Sequence, residues 1–436
     1  MHRTGSRAVQ VNFSAGQLTH FGGVYLLHRF LQQLQFRTYL SRRVHVEERN
    51  NHYSVSERLL ALVYPMMLGL ENVELTRLLG TNGVFQYLTG LPHFPRPNTL
   101  RRFLIGNAPD LLPQTRHVHN LLRRHFLVMD FHTSSYWLDF DSTVKTLYGH
   151  QEGVIPGYNP RNQGKKSYHP LICTEGHLGD CLGGELRYGN AHTASGVKAM
   201  FIKILTLLPT VRSLRIRADA GFYDGGFIEE IRQSGAGFAV VTHLTRPIKD
   251  RLAGLRYQRV NAVQSTAEFD YQPHGWTDAS RFVVLREKLT EKRKEQLKLF
   301  TMEAYAYHVL ATNLPLTPYG VFTFYEDRAG MERIVRILRD DYPFGTAPTQ
   351  SFLANALYAE LSLLAYNIIL WFQRLCLPPE WQSYTVETLR HRLFLIPGVF
   401  ARTHNRPVLK LPKNSLYQNI FLYADKKIQT LRPLGG

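Results

Sequence analysis

The sequence predicts a mixed α/β protein with a helical N-terminal region. Between residues 136 and 245, strand-like and helix-like stretches follow one another as strand, strand, strand, helix, strand, helix, strand. That order indicates a mixed sheet flanked by helices. Residues 16–135 instead carry apolar side chains at helical intervals. The chain has 436 residues, of which 44% are hydrophobic and 12% aromatic. That is enough to fill cores and excludes a disordered tail protein.

In the N-terminal part the spacing predicts helices over Val24–Leu34 and Ser56–Leu68, the second with Ser56 as N-cap. Asn98 is expected to cap a short helix through Thr99–Leu104. Strands are expected over Tyr136–Val144, 169–175 and 180–188, and a helix over Ser195–Leu208. In Leu214–Asp219, apolar Leu214, Ile216 and Ala218 alternate with Arg215, Arg217 and Asp219, the period of a half-buried strand. A helix near Gly226–Ser234 and the strand Gly237–Val241 follow. Residues 246–322 break this rhythm and read as a β-rich insertion, with strand pieces at Arg281–Leu285 and Ala306–Thr312. Helices resume over Tyr325–Asp340 and Ser351–Leu375. The tail beyond about 380 is mixed and basic.

Lys and Arg number 52 against 34 Asp and Glu, a formal charge of +18. Such an excess attracts polyanions, and duplex DNA in particular releases counterions when bound. The charges are scattered, at Arg42-Arg43, Arg101-Arg102, Arg123-Arg124, Lys165-Lys166 and Lys288–Lys298, which suits a broad surface. Cys173, Cys181 and Cys376 are the only cysteines, an odd and sparse set that fits a reducing compartment. Leu361–Leu377 is the most apolar stretch. Its Asn367, Gln373 and Arg374 suit a buried core helix better than a membrane span. No secretory signal is visible in MHRTGSRAVQVNF, and a cytoplasmic location with no membrane partner is expected.

Three acids stand out. Asp141 lies in the strand motif LDFDST, Asp219 ends a strand in RADAGF, and Glu332 lies on the helix beginning near Tyr325. A strand carboxylate is costly to bury unless it is paired or binds a cation. An all-oxygen set of this kind suits Mg²⁺. Two such ions can activate a nucleophile and stabilise the leaving oxygen of a phosphodiester. On one continuous helix, Tyr325, Arg328, Glu332 and Arg339 would share an arc about 60° wide. A carboxylate for metal would then lie beside two guanidiniums for phosphate. Asp139 and Asp141 face the same side of one strand, and on spacing alone either could be the first ligand. His169, Cys173, His177 and Cys181 recur every four residues. Pro170, Gly176 and Gly179 interrupt them, so no zinc site is expected.

The spacing Y-x2-R-x3-E-x6-K, with Arg339 in place of the last Lys, resembles the signature helix of DDE transposases of bacterial insertion sequences. LDFDST, GYNPRNQGKKSYHPL, LRYGNAH and RADAGF resemble the 1380 group of those transposases, over roughly residues 20–425. The resemblance implies an RNase H-like mixed-sheet catalytic core, with a β-rich insertion before the last catalytic helix and a helical N-terminal DNA-binding domain. It divides the chain into a helical region for DNA binding and dimerisation (1–135), a first part of the core (136–245), the insertion (246–322), the remainder of the core (323–378) and a basic C-terminal region (379–436). It further implies that Asp141, Asp219 and Glu332 are the catalytic, metal-binding triad for Mg²⁺ or Mn²⁺, with two ions per site. Asp141 is preferred over Asp139 because the family's first Asp directly precedes a Ser/Thr pair.

By the same resemblance, Tyr325, Arg328 and Arg339 hold the DNA end, and Trp276 stacks on a base drawn from it. Lys165 and Lys166 are expected at phosphates. The implied activity is cleavage at terminal inverted repeats and strand transfer to target DNA, with a hairpin as a possible intermediate. It is carried out by a homodimer associated with the bacterial nucleoid. A non-catalytic DNA-binding derivative and a structure-specific nuclease without strand transfer are the alternatives.

Overall fold

A computed structural model describes residues 11–47, 52–129, 135–160, 162–209, 213–289 and 305–435. Most of the basic run Lys288–Lys298 therefore lies outside the described residues. The chain divides into two compact units, one made of Met1–Leu100 and Trp371–Gly436, the other of Arg101–Leu370.

The first unit opens with the short strand β1 (Leu18–Thr19) and helix α1 (Val24–Gln33), which buries Val24, Leu26, Leu27, Phe30 and Leu31. Helix α2 (Val55–Met67) is capped by Ser54 rather than Ser56. The Ser54 hydroxyl accepts from the Glu57 N–H at 3.2 Å, and the Glu57 carboxylate accepts from the Ser54 N–H at 2.8 Å. The acid three residues on decides which serine caps, because only Ser54 completes this reciprocal box. Helix α3 (Pro97–Met129) begins at Pro97, so Asn98 lies inside it and does not cap it. It is also not short. Its 33 residues run on through Pro109 and Pro113, and most of it belongs to the second unit.

In the second unit the strands are β2 (Ser135–Ser142), β3 (Lys145–Thr146), β4 (Ile155–Pro156), β5 (Lys166–Tyr168), β6 (Leu171–Glu175) and β7 (Cys181–Glu185). Helix α4 (Val197–Leu205), β8 (Ser213–Ala218), α5 (Gly225–Gln233) and β9 (Gly237–Val241) follow. Next come α6 (Arg246–Leu252), β10 (Gln258–Arg259), β11 (Gln264–Tyr271), β12 (Ser280–Lys288) and β13 (Tyr305–Thr312). One nine-stranded sheet has the order β10-β11-β12-β13-β9-β8-β2-β6-β7, and β3-β5-β4 form a small separate sheet. At the centre β2, β8 and β9 are parallel, while β6 and β13 run antiparallel to their neighbours. The β-rich segment thus extends the central sheet through the β13–β9 pairing.

Alternation along the strands sorts the two faces. Leu138, Phe140, Ile216 and Ala218 pack with Phe201 of α4 and Phe227 and Ile231 of α5. Ala239, Val283, Leu285 and Leu310 pack on the other face with Val321, Phe322 and Phe324. Those three residues belong to α7 (Pro318–Glu326), which precedes α8 (Ala329–Asp340). The helix expected over Tyr325–Asp340 is therefore two helices. Between them the bonding tightens to i→i+3, with Arg328 N–H on the Tyr325 carbonyl (3.0 Å) and Met331 N–H on that of Arg328 (2.8 Å). The break turns the Arg328 side chain onto β2.

Helix α9 (Phe352–Cys376) is long and apolar enough to cross a membrane, but 89% of its most apolar window is buried inside the protein. The first unit is completed by β14 (Gly398–Thr403), β15 (Arg406–Lys410) and α10 (Gln418–Gln429), with a three-stranded sheet ordered β1-β14-β15.

Candidate active site

Parallel pairing of β2 with β8 sets Asp139 opposite Arg217 and Phe140 opposite Ala218. One step further the same register brings Asp141, near the end of β2, level with Asp219, the first residue after β8. Neighbouring strands lie about 4.8 Å apart. Side chains alternate, so Asp141 and Asp219 face the same way as Asp139 and Arg217.

The two Asp residues of β2 have different surroundings. Asp139 is 2% exposed and takes a bidentate grip from Arg217, at 2.6 and 2.7 Å. The same guanidinium donates to the Phe324 carbonyl at 2.9 Å and lies over the rings of Trp137 and Phe324. Asp139 is thus neutralised inside the fold. Asp141 meets Arg328 more loosely, at 3.3 Å, and accepts from the Ser142 N–H at 2.7 Å. Burial drives its carboxyl up to about 6; Arg328 opposes the rise, and the nearby charges of Asp219 and Glu332 add to it. Asp219 and Glu332 thus lie near enough for their charges to act on Asp141. Asp219 caps the short turn Ala220–Phe222 by accepting from the Gly221 N–H at 2.9 Å. Glu332 is exposed in the first turn of α8.

Arg328 ties α8 to the sheet. It is 7% exposed and donates to the Phe140 carbonyl at 2.7 Å. Burial works against its charge, yet Asp141, helped by Tyr325, Asp219 and Asp139, keeps its pKa above the usual arginine value. Tyr325 ends α7 beside it. Burial raises its phenol, Arg328 opposes, and Asp219 and Asp141 add to the rise, so it stays neutral. Arg217 and Arg328 form reciprocal ties: a strand arginine holds the α7 carbonyl, and an arginine of the α7–α8 junction holds a β2 carbonyl.

Among the described residues, none of the other expected contact residues bonds to the three acids. Arg339, at the far end of α8, pairs with its neighbour Asp340 at 2.7 and 2.8 Å, while its carbonyl accepts from Lys145. Lys165 is exposed on the loop before β5, and Lys166 opens that strand. Trp276 lies on the turn between β11 and β12. Its ring packs 5.1 Å from Tyr223 and against Gly225, where a Cβ would come within 2.9 Å of it.

Sequence reasoning missed several residues around the cluster. Arg217 was legible only as one of the charges alternating along β8, which suggests a solvent face; α7 covers that face. His169 Nε2 meets the Ser142 hydroxyl at 3.1 Å, and its Nδ1 meets the Ala191 carbonyl at 2.8 Å. A carbonyl only accepts, so Nδ1 carries the proton and Ser142 donates to Nε2. Burial lowers the His169 pKa. Arg187 draws together the carbonyls of His169, His192, Thr193 and Ser195. The motifs LDFDST, SYHPL and LRYGNAH are thereby bonded to one another beside Asp141.

The donor set fits a hard divalent cation. It is all carboxylate oxygen, and Asp141 is held part-buried among like charges that a cation would offset. Among the described residues no three His, Cys, Asp or Glu side chains already form a metal cage. Closing one would draw the exposed Glu332 toward the two strand ends.

A sequence model of the family described as transposase DDE domain group 1 matches residues 1–433. A solved structure, a cryo-EM piggyBac transposase synaptic complex with hairpin DNA, aligns over 86% of this chain and 78% of that one, at 10% identity and a TM-score of 0.45. No curated protein sequence matches.

Proposed function

The chain belongs to the transposase DDE domain family, group 1, and we propose that Asp141, Asp219 and Glu332 are its metal-binding triad, carried on an RNase H-like core of the kind seen in the 1380 group of insertion-sequence transposases. As a DDE-type transposase it is a metal-dependent enzyme of DNA transposition and recombination. The observation that supports the triad is the parallel β2–β8 register. It sets two carboxylates at adjacent strand ends, with Glu332 close enough to raise the Asp141 carboxyl. Asp139 fits the role less well, because Arg217 already saturates it.

Two bound Mg²⁺ or Mn²⁺ ions would activate a water or hydroxyl and stabilise the departing oxygen. The chain's own residues orient the reaction. Asp141 and Asp219 would hold those ions from the sheet, and Glu332 would do so from α8. Tyr325 and Arg328 line the junction beside them, and Arg339, Lys165 and Lys166 are available to phosphates further along. In the first step water attacks a phosphodiester at a terminal inverted repeat and frees a 3′-hydroxyl. In the second that hydroxyl attacks another phosphodiester, so one bond forms as one breaks. The attack falls on target DNA, or first on the opposite strand to give a hairpin, with Trp276 beside the extruded base. Region 1–135 holds DNA and pairs the protomers, so that two of them synapse two ends on the bacterial nucleoid, in the cytoplasm.

The test is cleavage of DNA bearing the element's ends, in Mg²⁺ or Mn²⁺. Single Ala replacements of Asp141, Asp219 and Glu332 should each abolish nicking while end binding persists. Cleavage surviving in all three overturns the assignment. Joined products from the wild type separate a transposase from a nuclease that stops after cutting.

A further inference from the structure

We propose that the hairpin β14–β15, in the first unit, enters a groove of duplex DNA tip-first, with Arg402 and Arg406 reaching the two walls of that groove. The proposal rests on the DNA-acting reading above and assigns to it a contact surface far in sequence from the triad.

The ribbon stands clear of its sheet. β1 pairs only with Gly398 and Val399, and one further bond joins the Phe400 N–H to the Gln17 carbonyl at 2.8 Å. The Phe400 ring is anchored 4.6 Å from Tyr87. Beyond it the hairpin has two strands only. Phe400 to Thr403 spans about 10 Å at about 3.3 Å per residue. The major groove of B-DNA is about 8.5 Å deep and about 12 Å wide, and it admits a two-stranded ribbon. The tip is the two-residue turn His404-Asn405, both at positive φ, as a tight hairpin turn requires.

Its charge is of one sign. No Asp or Glu occurs between Glu387 and Asp425, while Arg402, Arg406, Lys410 and Lys413 are all exposed. None of these four has an ion-pair partner among the described residues. Arg402 pairs across the ribbon with Pro407, and Thr403 with Arg406. Paired residues share a face and successive ones alternate, so the two guanidiniums project from opposite faces. A ribbon inserted into a groove would aim one at each phosphate wall.

The open edge argues against a protein strand as the partner. β15 is the edge strand. The pair flanking a two-residue turn carries the mutual hydrogen bonds, so the next pair directs its N–H positions outward. Pro407 lies at that outward position and has no N–H to offer. Pro and cationic side chains on an edge deter strand addition.

The experiment uses the full chain and a labelled duplex of arbitrary sequence, about 40 base pairs long, titrated over a range of salt. Arg402→Ala combined with Arg406→Ala should weaken binding about tenfold and lower the slope of log K against log salt by about 2. Melting temperature should be unchanged. The charge-matched control, Lys426→Ala with Lys427→Ala on α10, should change affinity far less. Separately, Thr403→Cys labelled with a photoreactive aryl azide should cross-link to the duplex, since Cys173, Cys181 and Cys376 are buried. An equal loss in the control, an unchanged slope in the hairpin variant, or the absence of a cross-link overturns the proposal. Wild-type protein that binds no duplex at all would instead end the DNA-acting reading.

Discussion

Exchange of Asp141 for Asn, set beside the same exchange at Asp139, separates the carboxylate proposed for ligation from one kept for structure. The two lie two residues apart on β2, about 6.6 Å at about 3.3 Å per residue, and face the same way, yet opposite effects on stability are expected. Asp141 is displaced from 3.8 to about 6, chiefly by burial, with Arg328 opposing and Asp219 and Glu332 reinforcing. Such a displacement corresponds to about 3 kcal/mol between the charged and neutral forms. Its sign follows from proton linkage. Between pH 4 and 6 the folded protein holds a proton that the unfolded chain has lost, so stability falls as pH rises through that window and is level above it. At pH 7, without metal, Asp141→Asn should therefore stabilise the second unit by up to about 3 kcal/mol, or about 6–12 °C in melting temperature. It should also remove that part of the pH dependence. Asp139→Asn should instead destabilise it. Arg217 is 1% exposed, and a buried guanidinium left without its anion costs about 3–5 kcal/mol. Scanning calorimetry in EDTA from pH 4 to 8 reads both variants, and a cleavage assay in Mg²⁺ reads function. Asp141→Asn should be stable and inactive. Were it to melt as early as Asp139→Asn, Asp141 would be a structural ion-pair residue and the reasoning would fail.

Two further outcomes are expected. Trp276→Ala should leave first-strand nicking intact while reducing hairpin products resolved on denaturing gels; base stacking is worth about 1–3 kcal/mol, so a loss of about tenfold or more is expected, and unchanged hairpin yield would remove Trp276 from the reaction. Glu360, on α9, is subject to burial that would raise its carboxyl, but Arg123, His119 and Arg116 outweigh it and bring it down to about 2. Its stabilisation is present above the unfolded value of 4.5 and is lost as pH falls through about 2, so Glu360→Gln should lower stability at pH 7 by about 3 kcal/mol, with the gap from wild type closing in acid urea titrations.

The central strands were legible because their side chains alternate: Gly237–Val241 matches its expected limits, and the Leu214–Asp219 pattern marks β8. Three local readings failed for local reasons. Ser56 looked like the cap of α2 until the Ser54–Glu57 reciprocity was visible, a preference that depends on an acid three residues ahead. Asn98 looked like a cap because a Pro before it suggested a boundary, whereas Pro is welcome as the first residue of a helix. The break at Asp327-Arg328 has no Pro to announce it, and only Gly330 follows close behind. It goes with a tertiary bond, Arg328 to the Phe140 carbonyl, which a periodicity argument cannot see. For the same reason Arg328 and Tyr325 stand near Asp141 while Arg339 does not share their surroundings.

The arginines explain why one strand carries two acids on one face. Asp139 and Arg217 neutralise each other, and through the Phe324 carbonyl they pin α7 to the sheet. That tie is built to persist, since both groups lose water permanently and each satisfies the other. The contact between Asp141 and Arg328 is of another kind. It is longer, it leaves Asp141 above its ordinary pKa, and Arg328 has a second anchor in the Phe140 carbonyl. Arg328 can therefore keep its place on β2 if Asp141 turns its oxygens to a cation. The first pair holds the scaffold rigid, and the second leaves one carboxylate incompletely satisfied at the point where β2, β8 and α8 meet. The proposed metal site needs both, because a fully neutralised Asp141 would have no reason to ligate and an unanchored α8 would not keep Glu332 within reach.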